Sequence, residues 1–294
     1  MNSLRKMRIA FLLNLSFSLI ELFGGFWVGS VSILSDALHD FGDSISIGLS
    51  LIFEKTAQKQ PNATHPYGYR RYSVLGSFLT AGLLCVSSLF VIAQGVRRLI
   101  HPILLNQNGI LILAVFGLLI NGIAALVTHG GRSLNQRSVS LHLLEDVLGW
   151  AAVLLGGTVI KLTGWVAIDP LLSIGIALWI LLHAVKQLKA VLNVFLEKTP
   201  SDIDSTDIQA CLESLEAITA IRYLRIRSID GIHAIASVRV VTDQDALLTK
   251  TAVRSVLSAH GIGVSTIEIS TPAESYTDEL LNLTQDTHQH HHHH

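Results

Sequence analysis

The chain is poor in charge and nearly devoid of cysteine. Of its 294 residues, 15% are Asp, Glu, Lys or Arg, and the formal net charge is -1. The basic excess that would hold nucleic acid is missing. Cys85 lies inside an apolar run and Cys211 in a polar region. Two such cysteines offer neither a disulfide framework nor a thiolate metal cluster, and both read as packing residues. The six prolines, Pro61, Pro66, Pro102, Pro170, Pro200 and Pro272, fall between apolar stretches or at their starts, where a missing N–H does least harm. Neither an H-E-x-x-H segment nor a nucleophile elbow occurs, so the common signatures of a zinc hydrolase or a serine hydrolase are lacking.

Apolar residues are abundant instead. Half of the chain is hydrophobic and the mean hydropathy is +0.49, values typical of a membrane protein. Six stretches, at about 9–29, 33–54, 73–97, 108–128, 138–160 and 167–188, are each long enough to cross about 30 Å of hydrocarbon as a helix. Arg5, Lys6 and Arg8 precede the first without a small-residue cleavage site, so that span is expected to be retained. Lys55, Lys59, Arg70, Arg71, Arg132 and Arg137 share the N-terminal side and outnumber Arg97, Arg98 and Lys161 on the other. The positive-inside rule then places both termini in the cytoplasm.

Polarity rises after about residue 198. Ser201, Asp202 and Asp204 offer caps for a helix through Leu215, and Ile221 to Ile229 reads as a strand. Ile232 to Val241 alternates apolar and polar residues, a helix follows over Asp245 to His260, and Val264 to Ser270 makes a last strand. The expected fold class is an α-helical membrane protein with six transmembrane helices and a C-terminal α+β cytoplasmic domain of order αββαβ, ferredoxin-like in type. Residues 1–198 are expected to form the six-helix transmembrane domain, 199–275 the cytoplasmic domain and 276–294 a tail. The histidines at 288 and 290–294 read as a purification tag and carry no argument.

The chemistry sits in two apolar segments. His39 and Asp43 are four residues apart in the second span, and His142 and Asp146 repeat that spacing in the fifth. Residues at i and i+4 share a helix face, so each segment presents one imidazole nitrogen and one carboxylate oxygen to a common point. Two nitrogens and two oxygens suit tetrahedral zinc better than the all-oxygen shells of magnesium or calcium. The bland alternative is a set of buried hydrogen-bond partners. The two spans run antiparallel, and His142 lies near the start of the fifth apolar stretch. The polar run Ser133 to Ser140 is therefore expected to continue that helix inside a wet cavity opening to the cytoplasm. Asp36, Asp40 and Glu145 lie beside the ligands on other helix faces. Asp36 is the candidate for orienting a ligand histidine. Asn14, Glu21 and Asn121 are candidates for hydrogen bonds between helices.

In order and spacing, these segments resemble the cation diffusion facilitators, a family of divalent metal exporters. The resemblance runs through Glu21 to Gly25, Gly29 to Asp36, the His39-x-x-x-Asp43 motif, Tyr67 to Gly76, Ser133 to Asn135, His142 to Asp146 with Gly149, and Asp169-Pro170 with Ser173. It implies that His39, Asp43, His142 and Asp146 form the transport site, with zinc as the transported substrate and cadmium or cobalt as further cargo. It also implies proton exchange, a homodimer, a bacterial inner membrane and no organic cofactor. Zinc needs neutral imidazole and ionised carboxylate, so proton binding and metal binding oppose each other at one site. The alternatives are a manganese or iron exporter of the same family and, outside it, a membrane-embedded metal enzyme or a metal sensor. In some members the loop between spans two and three binds a second metal. Here it retains His65, with Asn62 and Tyr69 at expected ligand positions, so a weak site at most is expected. The family's strand histidines of the cytoplasmic domain are replaced around Arg222, Tyr223, Arg225, Arg227, Ser237, Glu268 and Ser270. His233 and His260 read as surface histidines, and His101, His129 and His183 as groups near helix ends.

Overall fold

A computed structural model describes residues 3–28, 31–101, 107–165 and 167–274, and the side chains of Asp36 and His39 lie outside that description. Six long helices come first: α1 (Ser3–Val28), α2 (Val31–Ala57), α3 (Arg71–Ile100), α4 (Gln107–Thr128), α5 (Leu134–Thr163) and α6 (Ile168–Phe195). Helices α7 (Ser205–Glu213) and α8 (Ala246–Ala259) and strands β1 (Ala220–Ser228), β2 (Ala234–Val241) and β3 (Val264–Ser270) follow. The chain divides into two compact units near residue 198, the long helices in the first and the sheet in the second.

The helical unit is polar within and apolar without. Asn14, Ser44, Ser50, Ser73, Ser77, Thr80, Asn135 and Ser138 are buried, while Ile20, Phe23, Ile52, Val86, Phe90, Leu126 and Leu182 face outward. Such a belt of large apolar side chains would be a liability in water and is at home in lipid. Four helical stretches, Leu4–Gly24, Arg71–Ile100, Leu134–Thr163 and Pro170–Phe195, are long and apolar enough to cross a bilayer, and Ala114–Thr128 is a shorter apolar helix. The chain is an integral membrane protein.

Small residues bring the helices close. A side chain at Gly76 of α3 would lie 2.7 Å from Asn135 Oδ1 of α5, and one at Gly117 of α4 would lie 2.5 Å from the Trp150 ring of α5. Met7, Ala10, Ile47, Ala124, Val139 and Leu143 then join α1, α2, α4 and α5 in one cluster. Between α1 and α2, Asn14 Nδ2 donates to Ser44 Oγ (3.2 Å), as expected of an interhelical asparagine. The Asn121 amide is buried without a hydrogen-bond partner among the described residues.

The start of α5 is held by polar groups. Ser133 caps the helix by accepting from Gln136 N–H (3.1 Å), and Gln136 Oε1 accepts from Arg132 N–H (3.0 Å), a variant of the capping box. Buried Glu54 of α2 accepts from Ser73 Oγ (2.7 Å) and Asn135 Nδ2 (3.3 Å) at one carboxylate oxygen and from Ser133 Oγ (3.1 Å) at the other. Asn135 Nδ2 also donates to the Ser50 carbonyl (2.8 Å), and Ser77 and Ser138 bond through their hydroxyls (2.7 Å). The run Ser133 to Ser140 does continue α5, as expected. Ser133, Asn135 and Ser138 bond to α2 and α3, and Ser138 is fully buried, so these positions are packed rather than open to a wet cavity, while Asn135 Oδ1 is buried without a hydrogen-bond partner among the described residues.

In the second unit, β2 pairs antiparallel with β1 and parallel with β3, giving the strand order β1-β2-β3. Alternation along β2 turns Ala234, Ala236, Val238 and Val240 into a core with Ile208 and Leu212 of α7 and Val253 and Leu257 of α8. The sequence suggested that β2 begins at Ile232. It begins two residues later because Asp230 Oδ1 accepts from Ile232 N–H (3.0 Å) and Gly231 adopts φ 83°, a turn that ends strand pairing. Asp204 caps α7 by accepting from the N–H groups of Thr206 (2.9 Å) and Asp207 (3.3 Å), which hold its carboxyl below the ordinary carboxylate value.

Three outcomes follow from this packing. Leu257→Ala should cost about 2–5 kcal/mol, read from hydrogen exchange of the β2 amides in the intact chain. Glu54→Ala strands three buried donors, and at about 1–3 kcal/mol for each unsatisfied group it should lower the thermal midpoint of the detergent-solubilised protein more than Glu54→Gln does. Because the Asp204 pKa is depressed, its contribution is present above the unfolded carboxylate value of about 3.9 and is lost as pH falls through the lower folded value. Protection factors at the start of α7 should therefore drop in acid, and Asp204→Ala should remove that dependence.

Candidate metal centre

Helix α2 carries Asp43 and helix α5 carries His142 and Asp146, each drawn to the same place by the packing described above. Asp43 Oδ1 lies 3.6 Å from His142 Nε2. One ligand atom from each of Asp43, His142 and Asp146 falls within 4.8 Å of the other two. Both His142 ring nitrogens and Asp146 Oδ2 are buried without a hydrogen-bond partner among the described residues. Burying polar atoms in this way is costly unless something satisfies them, and a shared cation would satisfy all three groups at once. A nitrogen and carboxylate oxygens match zinc and its neighbours in the transition series. His39 occupies α2 one turn before Asp43, and its side chain, like that of Asp36, lies outside the described residues.

Glu145 departs from expectation. Sequence spacing suggested that it turns away from the ligand face, yet Glu145 Oε2 lies 4.0 Å from His142 Nδ1. Residues at i and i+3 are helix neighbours, and both side chains lean toward the N-terminal end of α5. Ser87 Oγ of α3, which donates to the Leu84 carbonyl (3.1 Å), also lies 3.5 Å from Glu145 Oε1. His142 thus has Asp43 on its Nε2 side and Glu145 on its Nδ1 side. At 4.0 Å the Glu145 contact is in ion-pair range rather than a hydrogen bond, and a carboxylate that closed the gap could orient the imidazole. The i+3 spacing was the signal that could have found it.

Other sequence candidates have different surroundings. His65 stacks on Tyr69 (4.1 Å between centroids), Thr64 Oγ1 lies 3.0 Å from His65 Nδ1, and Asn62 Nδ2 donates to the Tyr69 hydroxyl (2.8 Å). This loop is tied together by its own hydrogen bonds. Among the described residues, His65 is part of no cluster of three metal-ligating groups. His183 stacks on Trp179 with its ring Nδ1 2.9 Å from the Trp179 carbonyl. In the sheet unit, the strand positions are tied up in polar pairs. Tyr223 donates to Glu268 (3.0 Å), Arg225 lies over the Tyr223 ring, and Arg239 pairs with Glu268 (3.3 Å) and Glu274 (2.8 Å). One cluster escaped the sequence reading: Asp207, Cys211 and His260 bring their ligand atoms within 4.8 Å of one another.

Comparison with known proteins agrees with the geometry. Residues 7–196 match the family profile described as the cation efflux transmembrane domain. The cadmium, cobalt and zinc/H(+)-K(+) antiporter of Bacillus velezensis is 33% identical over 298 residues, covering 97% of this chain and 95% of the relative. Its counterpart in Bacillus subtilis is 32% identical over 297 residues, with the same coverage. The zinc transporter ZitB of Yersinia pestis is 29% identical over 307 residues, covering 99% and 96%. The chain therefore belongs to the cation efflux family, the cation diffusion facilitators, and is a membrane transporter rather than an enzyme.

Proposed function

We propose that this protein exports zinc, with cadmium and cobalt as further cargo, in exchange for protons, through a site made of His39, Asp43, His142 and Asp146. The observation that carries the reading is the convergence of Asp43, His142 and Asp146 from two helices at a buried point. His39 precedes Asp43 by four residues, so it can supply the second nitrogen from the same face of α2. Zinc is favoured by this donor set and by relatives described as zinc transporters. A manganese or iron exporter is the nearest alternative, and competition among the ions separates them.

The coupling follows from the ligands. Metal binds when both imidazoles are neutral and the carboxylates ionised, so loading releases protons and protonation on the far side releases metal. Six membrane spans, both termini in the cytoplasm of a bacterial inner membrane, and a homodimer complete the proposal. Residues 1–198 would be the transport domain and 199–275 a ferredoxin-like cytoplasmic domain, for which the order α7-β1-β2-α8-β3 is the support. Asp36 would orient a ligand histidine, and His65 at most a weak loop site.

Zinc flux into proteoliposomes, measured on protein freed of its terminal histidine run, should follow an imposed pH gradient. Tight zinc binding without flux would overturn the transport reading. Asp43→Ala and Asp146→Ala should each reduce flux to the liposome background, and full flux in either would remove that residue from the site. His39→Asp exchanges a nitrogen for an oxygen donor. It should shift ion competition toward manganese by at least about tenfold if His39 is a ligand.

A further inference from the structure

The second unit carries a cluster that export does not use. Asp207 and Cys211 are four residues apart on α7, so they share one face, and His260 forms the C-cap of α8 beside them. His260 Nδ1 lies 2.7 Å from the Val256 carbonyl and donates to it, which in a neutral ring leaves a lone pair on Nε2. That lone pair faces Asp207 Oδ2 at 3.2 Å. Two acceptors at this distance need a positive centre between them, either a proton or a metal ion. The arrangement also matches how ligand histidines are held, with the other ring nitrogen bonded to a carbonyl. Half-buried Cys211 completes the set, and the three ligand atoms lie within 4.8 Å of one another. Tetrahedral zinc, with bonds of about 2.0–2.3 Å, brings donors to about 3.5 Å apart, a closure within reach of side-chain rotation.

We propose that Asp207, Cys211 and His260 form a second divalent-metal site, of zinc, cobalt and cadmium chemistry, that ties α7 to the end of α8. Sulfur and nitrogen donors select against magnesium, calcium and manganese. Asp207 is exposed, so water can take the fourth position. The site sits on the helices, away from the strand positions occupied by the arginine and glutamate pairs, and it needs no residue of the membrane site.

The sulfur makes it separable from the transport site, whose proposed ligands are nitrogen and oxygen alone. The intact protein, without its terminal histidine run and with its cysteines reduced, would be titrated with Co2+ alone. A near-ultraviolet thiolate-to-cobalt band should rise and saturate by about two equivalents per chain, one of them taken by the transport site, since ligation deprotonates the thiol. Cys211→Ser should abolish the band, whereas Cys85→Ser and Asp146→Ala should keep it. His260→Gln and the exposed Asp207→Asn should each weaken cobalt affinity, read at that band, by at least about tenfold. Absence of the band from the parent protein would overturn the proposal. So would its persistence in Cys211→Ser, or an unchanged affinity in Asp207→Asn, a variant at a surface position that the core does not use.

Discussion

The fold depends on one constraint: inside a bilayer, every polar group must be satisfied by the protein or by something the protein carries. The helical unit answers it for most of its polar groups by turning its large apolar side chains outward and gathering serines, threonines, asparagines and carboxylates inward, with the Asn121 amide an exception among the described residues. In water the same distribution would bury polarity at a loss. In hydrocarbon the outer face brings no helix together, so association rests on close packing and on hydrogen bonds such as Asn14 to Ser44. Helix α5 packs closely on its neighbours where Gly76 and Gly117 leave room for Asn135 and Trp150.

The same constraint sorts the carboxylates into two kinds. Glu54 is well supplied with donors: Ser73, Ser133 and Asn135 all donate to it. Among the described residues, Asp146 and His142 retain buried atoms with no hydrogen-bond partner. A carboxylate so supplied holds helices in register, whereas a pair with such atoms is suited to a cation that arrives and leaves. The eleven residues from Asp43 to Glu54 span about 16 Å of helix. Glu54 can therefore set how α2 meets α5 without entering the coordination of a passing ion.

The sheet unit is built on different physics. Its core is the ordinary burial of Val238, Val240, Leu212 and Leu257 against water, and its polar groups are hydrogen-bonded caps and surface pairs. The strand faces are occupied by Arg239, Glu268 and Tyr223, while metal-ligating atoms gather on the helix side. Two units of one chain thus offer donor sets of different softness, carboxylate with imidazole in the helical unit and a cysteine added in the sheet unit.

By itself the sequence determined whatever is local. The long apolar runs, the cap at Ser133, the alternation along β2 and the i, i+4 pairs on α2 and α5 all rest on interactions within a turn or two of chain, and the elements formed close to where these placed them. Tertiary structure alone decided what lies across elements. It decided that Glu54 meets Ser133 about eighty positions away, that Ser138 is packed rather than wet, and that Cys211 and His260 stand together from different helices. Such meetings depend on helix crossing and register, set by many weak contacts at once, and no short window of residues contains them.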